Sequence, residues 1–86
     1  MAIQNKISVN QPKIGKFIYE LRLSMGLTQE EFAVVLGVTF PTVNRWENGH
    51  TKPSKLAVQQ IEALVAKLGD KGQKLLADYQ KDSDYV

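Results

Sequence analysis

Residues 28–49 read TQEEFAVVLGVTFPTVNRWENG, and this stretch decides the fold. Thr28 is placed to cap a helix N-terminus, and Glu31, three residues on, completes a capping box in which each residue satisfies a free N–H of the other. Phe32, Ala33 and Leu36 then make a one-sided apolar stripe. Gly37 supplies the left-handed conformation that ends a helix without a Cβ penalty. Val38 carries the apolar pattern across the turn, Thr39 is a second N-cap, and Val43 with Trp46 forms the buried side of a second helix closed by Asn48 and Gly49. Pro41 lies in the first turn of that helix and disfavours the helical region for Phe40, so the helix is expected to begin one residue late.

Two short capped helices joined by a tight turn make a helix-turn-helix, whose second helix is normally laid into the major groove of DNA. The side chains left outward on the helix spanning 39–48 are Phe40, Pro41, Thr42, Asn44 and Arg45. Arginine can pair in bidentate fashion with guanine, asparagine with adenine, and an apolar side chain can touch the thymine methyl.

The segment resembles the phage-repressor and Cro-like helix-turn-helix regulators, the XRE type. The matching positions are Arg22, the Leu27-Thr28-Gln29 start, Ala33, Leu36-Gly37-Val38, Val43 and the Trp46-Glu47-Asn48-Gly49 ending, and the likeness extends from about Lys13 to Leu68. It implies an all-α fold, a compact bundle of four to five helices of the lambda repressor-like kind, with the third helix reading DNA. It implies further that Gln29 contacts a phosphate and braces the reading helix, and that Asn48 and the loop after it hold the backbone from the other side. Phe40, Pro41 and Arg45 fall where that family places base-contacting side chains, with Thr42 and Asn44 nearby. Thr28, Gln29, Thr39, Asn48, Thr51, Lys52 and Lys55 make the expected phosphate-binding set. An ion pair between Arg22 and Glu47 is expected to join helix one to the end of the reading helix. Where such proteins often carry hydrogen-bonding side chains, this chain has Phe40 and Pro41, so methyl contact or steric exclusion replaces hydrogen-bond readout there, and Arg45 is the strongest reader.

Length and composition bound the remainder. Eighty-six residues make one domain with a modest core, too short for a catalytic cleft between domains. Cysteine is absent, which excludes a disulfide framework and a thiolate metal site. No window approaches the roughly 20 apolar residues of a membrane span, so the chain is expected to be soluble and unprocessed. The resemblance to bacterial, plasmid and phage regulators implies the cytoplasm, at the nucleoid. The net charge is only +2, but its distribution is uneven. Lys6, Lys13, Lys16, Arg22, Arg45, Lys52, Lys55 and Lys67 precede Gly69 against Glu20, Glu30, Glu31, Glu47 and Glu62, whereas Asp70, Asp78, Asp82 and Asp84 outnumber Lys71, Lys74 and Lys81 beyond it. Lys52 and Lys55 flank Pro53 just after the reading helix, where a short loop presents ammonium and N–H groups to phosphates.

The organisation along the chain is simple. Residues 1–12 show no sustained period and read as a loose arm, residues 13–69 as the DNA-binding unit, and residues 70–86 as a short helix with a frayed KDSDYV end. Helix one, Lys13 to Met25, repeats Ile14, Phe17, Ile18, Leu21 and Met25 at three- and four-residue steps and stops at Gly26. Helix four starts at a Ser54 cap and buries Ala57, Ile61, Leu64, Val65 and Leu68. Asp70 and Gln73 suggest a further capping box, and Gly72 weakens that last helix by up to about 1 kcal/mol relative to alanine. Its Leu75, Leu76 and Tyr79 either form a dimer surface or cap the core.

Trp46 is read as core, and His50, without a second ligand, as a polar loop residue. Glu30 and Glu31 are first-turn carboxylates favoured by the helix dipole. No paired histidines, phosphate-cradling glycine loop or carboxylate pair in an apolar cleft is present, so no catalytic residue, cofactor or metal is expected. The leading expectation is a sequence-specific regulator of transcription, a repressor in the first instance, bound to double-stranded DNA as a homodimer on a two-fold operator. The alternative is a protein-interaction module, such as the antitoxin that neutralises a toxin, binding a partner protein with or without DNA.

Overall fold

The computed structural model describes Ile7 and residues 9–84, with side chains through Lys81. Five helices follow one another: α1 (Lys13–Ser24), α2 (Gln29–Leu36), α3 (Phe40–Glu47), α4 (Lys55–Lys67) and α5 (Asp70–Asp84), with no strand among the described residues. α1 packs on α3 and α5, α2 on α3, and α4 on α5 with a lighter contact to α2. The expected all-α bundle is the one observed.

The boundaries follow from local chemistry. Thr28 Oγ1 accepts the Glu31 N–H at 3.1 Å while the Glu31 carboxylate accepts the Thr28 N–H at 2.9 Å, so the capping box is reciprocal. Gly37 ends α2 at φ 72°, a left-handed value in which a side chain would be strained. Thr39 caps α3, and Ser54 caps α4 by accepting the Ala57 N–H at 3.1 Å. α3 starts at Phe40, not a residue later as Pro41 led us to expect. A proline in the first turn lacks only an N–H that would have had no helical partner, and its fixed φ already suits the helix.

Phe32, Ile14, Ile18, Leu21, Ile61 and Val43 are fully buried at the centre, and Trp46 lies with them as expected. Burying one such aliphatic or aromatic side chain is worth about 1.5–3 kcal/mol, so this cluster dominates the favourable side of folding. α5 adds to it. Leu76 and Tyr79 are buried, and the Tyr79 ring meets Phe17 with centroids 5.1 Å apart. Leu76 and Tyr79 thus cap the monomer core, and the half-buried Leu75 packs against it.

Three further details differ from the sequence reading. α5 extends to Asp84, so Lys81–Asp84 is helical; residues 85 and 86 lie outside the described residues. Asp70 is the first residue of α5 rather than the one before it, and no Asp70–Gln73 capping box is needed because Gly69 O accepts the Gln73 N–H at 3.0 Å. Gly72 is no mere weakness: a Cβ there would stand 2.1 Å from Val65 O, so the missing side chain is what lets α5 approach α4. In the stretch read as a loose arm, Ile7 is buried and Val9 packs against the core, while residues 1–6 and 8 lie outside the described residues.

Candidate nucleic-acid interface

The proposed DNA-facing residues lie at the start of α2, on α3, in the loop from Asn48 to Ser54 and at the first residue of α4, and a chain of hydrogen bonds sets the positions of Gln29, Asn44 and Asn48. At its root Arg22 holds Glu47 in bidentate fashion, Nε to Oε2 at 2.8 Å and Nη2 to Oε1 at 3.1 Å, and gives Nη1 to the Leu27 carbonyl at 2.9 Å. The side chains are only 11 % and 6 % exposed, so the expected ion pair is present and largely out of water. The hydrogen bond to Glu47 raises the Arg22 pKa above its ordinary value, with burial opposing and the Glu47 charge adding to it. The guanidinium also lies 5.4 Å from the Tyr19 ring centroid.

The polarity of the chain follows from Glu47. A carboxylate only accepts, so Gln29 must turn its amide N–H toward it, and Nε2 donates to Oε1 at 2.9 Å. That leaves the Gln29 carbonyl facing Asn44, whose Nδ2 donates to it at 3.1 Å. The Asn44 carbonyl then faces outward along the helix and accepts the Asn48 Nδ2 at 3.1 Å. Every donor in the run points toward the buried carboxylate. One ion pair thereby orients three amides across α1, α2, α3 and its C-terminal cap.

Gln11 is a second brace, and sequence reasoning missed it. Its Oε1 accepts the Gly15 N–H at 3.1 Å, and its Nε2 donates to Trp46 O at 3.0 Å and to Thr51 O at 2.6 Å. One side chain thus starts α1, finishes α3 and fastens the loop that carries Thr51 and Lys52. Gly15 belongs to the same joint, for a Cβ there would sit 2.3 Å from Trp46 O. These partners lie 35 and 40 residues beyond Gln11, so no local pattern announces them.

The base-reading candidates divide into two kinds. Phe40, Pro41 and Arg45 are exposed, whereas Thr42 and Asn44 are half-buried and already bonded, Thr42 through a 2.8 Å contact between its hydroxyl and that of Thr39. Among the phosphate candidates, Gln29 and Asn48 are joined through Asn44, and Thr28 and Thr39 spend their hydroxyls on caps. Thr51, Lys52 and Lys55 are exposed around the buried ring of Pro53. His50 is exposed, with its N–H on Arg45 O at 2.9 Å.

A family model described as helix-turn-helix matches residues 18–67. The chain is similar to the Type II methyltransferase M1.ScrFI of Lactococcus lactis subsp. cremoris, 40 % identical over an alignment of 52 residues that covers 57 % of this chain. It spans only 13 % of that protein's length, so the likeness covers a small module of a much larger chain. No solved structure matches significantly. With two capped helices packed across a glycine turn and the family model running through both, this chain belongs to the helix-turn-helix family, of the phage-repressor and Cro-like DNA-binding type.

Proposed function

We propose that this protein is a sequence-specific regulator of transcription that occupies an operator in double-stranded DNA and blocks or assists polymerase. The observation that carries the reading is the outward face of α3, with Phe40, Pro41 and Arg45 exposed on a helix whose orientation is held by the Arg22–Glu47–Gln29–Asn44–Asn48 chain. In such a face, affinity comes mostly from phosphates and specificity from base edges. Gln29 at the start of α2 and Asn48 at the C-terminal cap of α3 carry amide groups on either side of Asn44, and Lys52 and Lys55 add ammonium groups beyond α3. α3 is eight residues long and reaches only a few base pairs, so two copies on a two-fold operator, about one helical turn apart, are the natural arrangement.

Selection from random duplex DNA with the purified protein near physiological salt tests this. A palindromic enriched motif with spaced half-sites supports a dimeric operator-binding regulator, and a folded protein that enriches nothing overturns it. Lys52→Ala is expected to weaken binding to all sequences alike and to reduce the slope of log K against log salt by about one. Titrations at several salt concentrations, on the selected site and on unrelated DNA, check this; a loss confined to the selected site contradicts the phosphate role. The alternative of a protein-interaction module draws on the exposed apolar Val34, Val35 and Phe40. A partner that stays bound through purification in high salt, covering those residues, would favour it.

A further inference from the structure

The Gln11 side chain uses its whole amide, and its partners fix which way the amide faces. Oε1 accepts the Gly15 N–H, so Nε2 faces the Trp46 and Thr51 carbonyls and donates one hydrogen to each, at 3.0 and 2.6 Å. A flipped amide would set its oxygen against two carbonyl oxygens. Glutamate lacks the donors, lysine and arginine lack the acceptor, and asparagine is one methylene shorter, so the joint calls for glutamine.

The two carbonyls depend on this amide to different degrees. Trp46 O also accepts the Gly49 N–H at 3.1 Å, and α3 is fixed independently by the Thr39 cap, by the burial of Val43 and Trp46 and by the Arg22–Glu47 pair. The loop beyond α3 has less to hold it. The His50 N–H returns to Arg45 O, but among the described residues no backbone–backbone hydrogen bond reaches Thr51, Lys52 or Pro53, and Ser54 already belongs to the cap of α4. Across that gap the loop is secured by the buried ring of Pro53 and by the Gln11 amide on Thr51 O.

We infer that Gln11 is a positioning residue for phosphate binding: it holds Thr51 and Lys52 in one arrangement before DNA arrives and takes no part in choosing bases. The inference rests on the regulator reading and adds to it a residue that precedes α1. A loop free to move must be ordered on contact, and fixing the backbone of one residue costs about as much as a tenfold change in Kd. A loop fastened in the free protein does not incur that cost on binding. Because α3 keeps its own supports, losing the brace lowers affinity for all sequences and leaves their ranking intact.

The test compares the full chain with Gln11→Met, which keeps the length of the side chain and removes its hydrogen bonds. Binding is titrated on the selected site and on an unrelated duplex of equal length, at several salt concentrations, with circular dichroism showing that the variant is folded at the assay temperature. Gln11→Met is expected to bind both duplexes about tenfold more weakly and to keep the order of preference over single-base changes. The slope of log K against log salt should fall by about one as Lys52 loses its phosphate. In a Lys52→Ala background the same substitution should cost less than it does alone, since both residues act through one contact. Wild-type affinity and slope in folded Gln11→Met overturn the inference, because a brace of the fold alone changes Tm and not Kd. Full additivity with Lys52→Ala overturns it too, as does a loss confined to the selected site. If Gln11→Met does not fold, NMR of the free wild-type chain decides. Order parameters of about 0.85 at the Thr51 and Lys52 amides are expected, and values below about 0.6 overturn the inference. The Gln11 side-chain amide protons should also exchange with solvent more slowly than those of the exposed Gln59 and Gln60, and equal rates overturn it. A wild-type chain that binds neither duplex overturns the regulator reading itself.

Discussion

Replacing Glu47 with alanine is expected to lower the stability of the fold by about 3 kcal/mol, toward the lower end of what breaking a buried pair from one side costs. The carboxylate accepts three bonds, two from Arg22 and one from Gln29, and its removal leaves the guanidinium largely out of water with only the Leu27 carbonyl. In a domain of this size a loss of that order lowers Tm by roughly 15 °C. Thermal and urea unfolding of Glu47→Ala, Arg22→Ala and the double variant check the argument. The double variant should be more stable than the sum of the single losses predicts, because removing both partners leaves no charge stranded. Full additivity, with each single loss below about 0.5 kcal/mol, would mean that the pair behaves as two solvated surface charges. The pH dependence has a definite sign. The folded pKa of Arg22 is raised, so its contribution is complete below the unfolded value and is lost only as the pH climbs through the higher folded one. Both values lie far above neutrality, so deprotonation of Arg22 makes no difference to the Tm gap between wild type and Glu47→Ala at about pH 7 and about pH 9.

Much of this fold was legible because its punctuation is local. Thr28 with Glu31, Gly37, Thr39 and Ser54 act within four residues of themselves, and the three- and four-residue steps of Ile14, Phe17, Ile18 and Leu21 state which face is buried. The features that escaped depend on contacts between elements distant in sequence. Gly72 looks like a poor helix residue until the Val65 carbonyl is placed against it. Gln11 looks like part of an arm until α3 and its loop arrive to accept its amide. α5 continues past its expected fraying point, and the burial of Leu76 and Tyr79 against α1 and the core supplies stability that its own propensity does not. Pro41 differs for another reason: its steric bias on Phe40 is outweighed by the Thr39 cap and by the burial of Val43 and Trp46, which fix α3 from Phe40 onward.

The candidate interface was legible as a set of residues but not as a division of labour. Asn44 has the right chemistry to read adenine, and from sequence it stands beside Arg45 as an equal. In the structure it is a link between Gln29 and Asn48, a role visible only once α2 and α3 are packed. The Arg22–Glu47 pair, by contrast, was anticipated through the family likeness alone, since no local spacing connects residues on α1 and at the end of α3.

Replacing Arg45 with alanine is expected to cost about 1–3 kcal/mol on the best site, roughly 5- to 150-fold in Kd, and to relax the preference at one base pair. Arg45 is exposed, lies in the last turn of α3 and has a guanidinium free to fork onto a guanine edge. Alanine removes a charge as well as the fork, so the loss alone does not identify base reading. Arg45→Lys separates the two. It keeps the charge and the salt dependence but not the planar pair of donors, so it should restore part of the general affinity while the base preference stays relaxed. Asn44→Ala makes the opposite contrast. It frees Gln29 and Asn48 from each other without removing a group aimed at a base edge, so binding should fall on all sequences together and the preference profile should keep its shape. Binding profiles over every single-base change in the selected site distinguish these patterns. A profile unchanged in both Arg45 variants would take Arg45 out of base reading and leave specificity to Phe40, Pro41 and the deformability of the DNA itself.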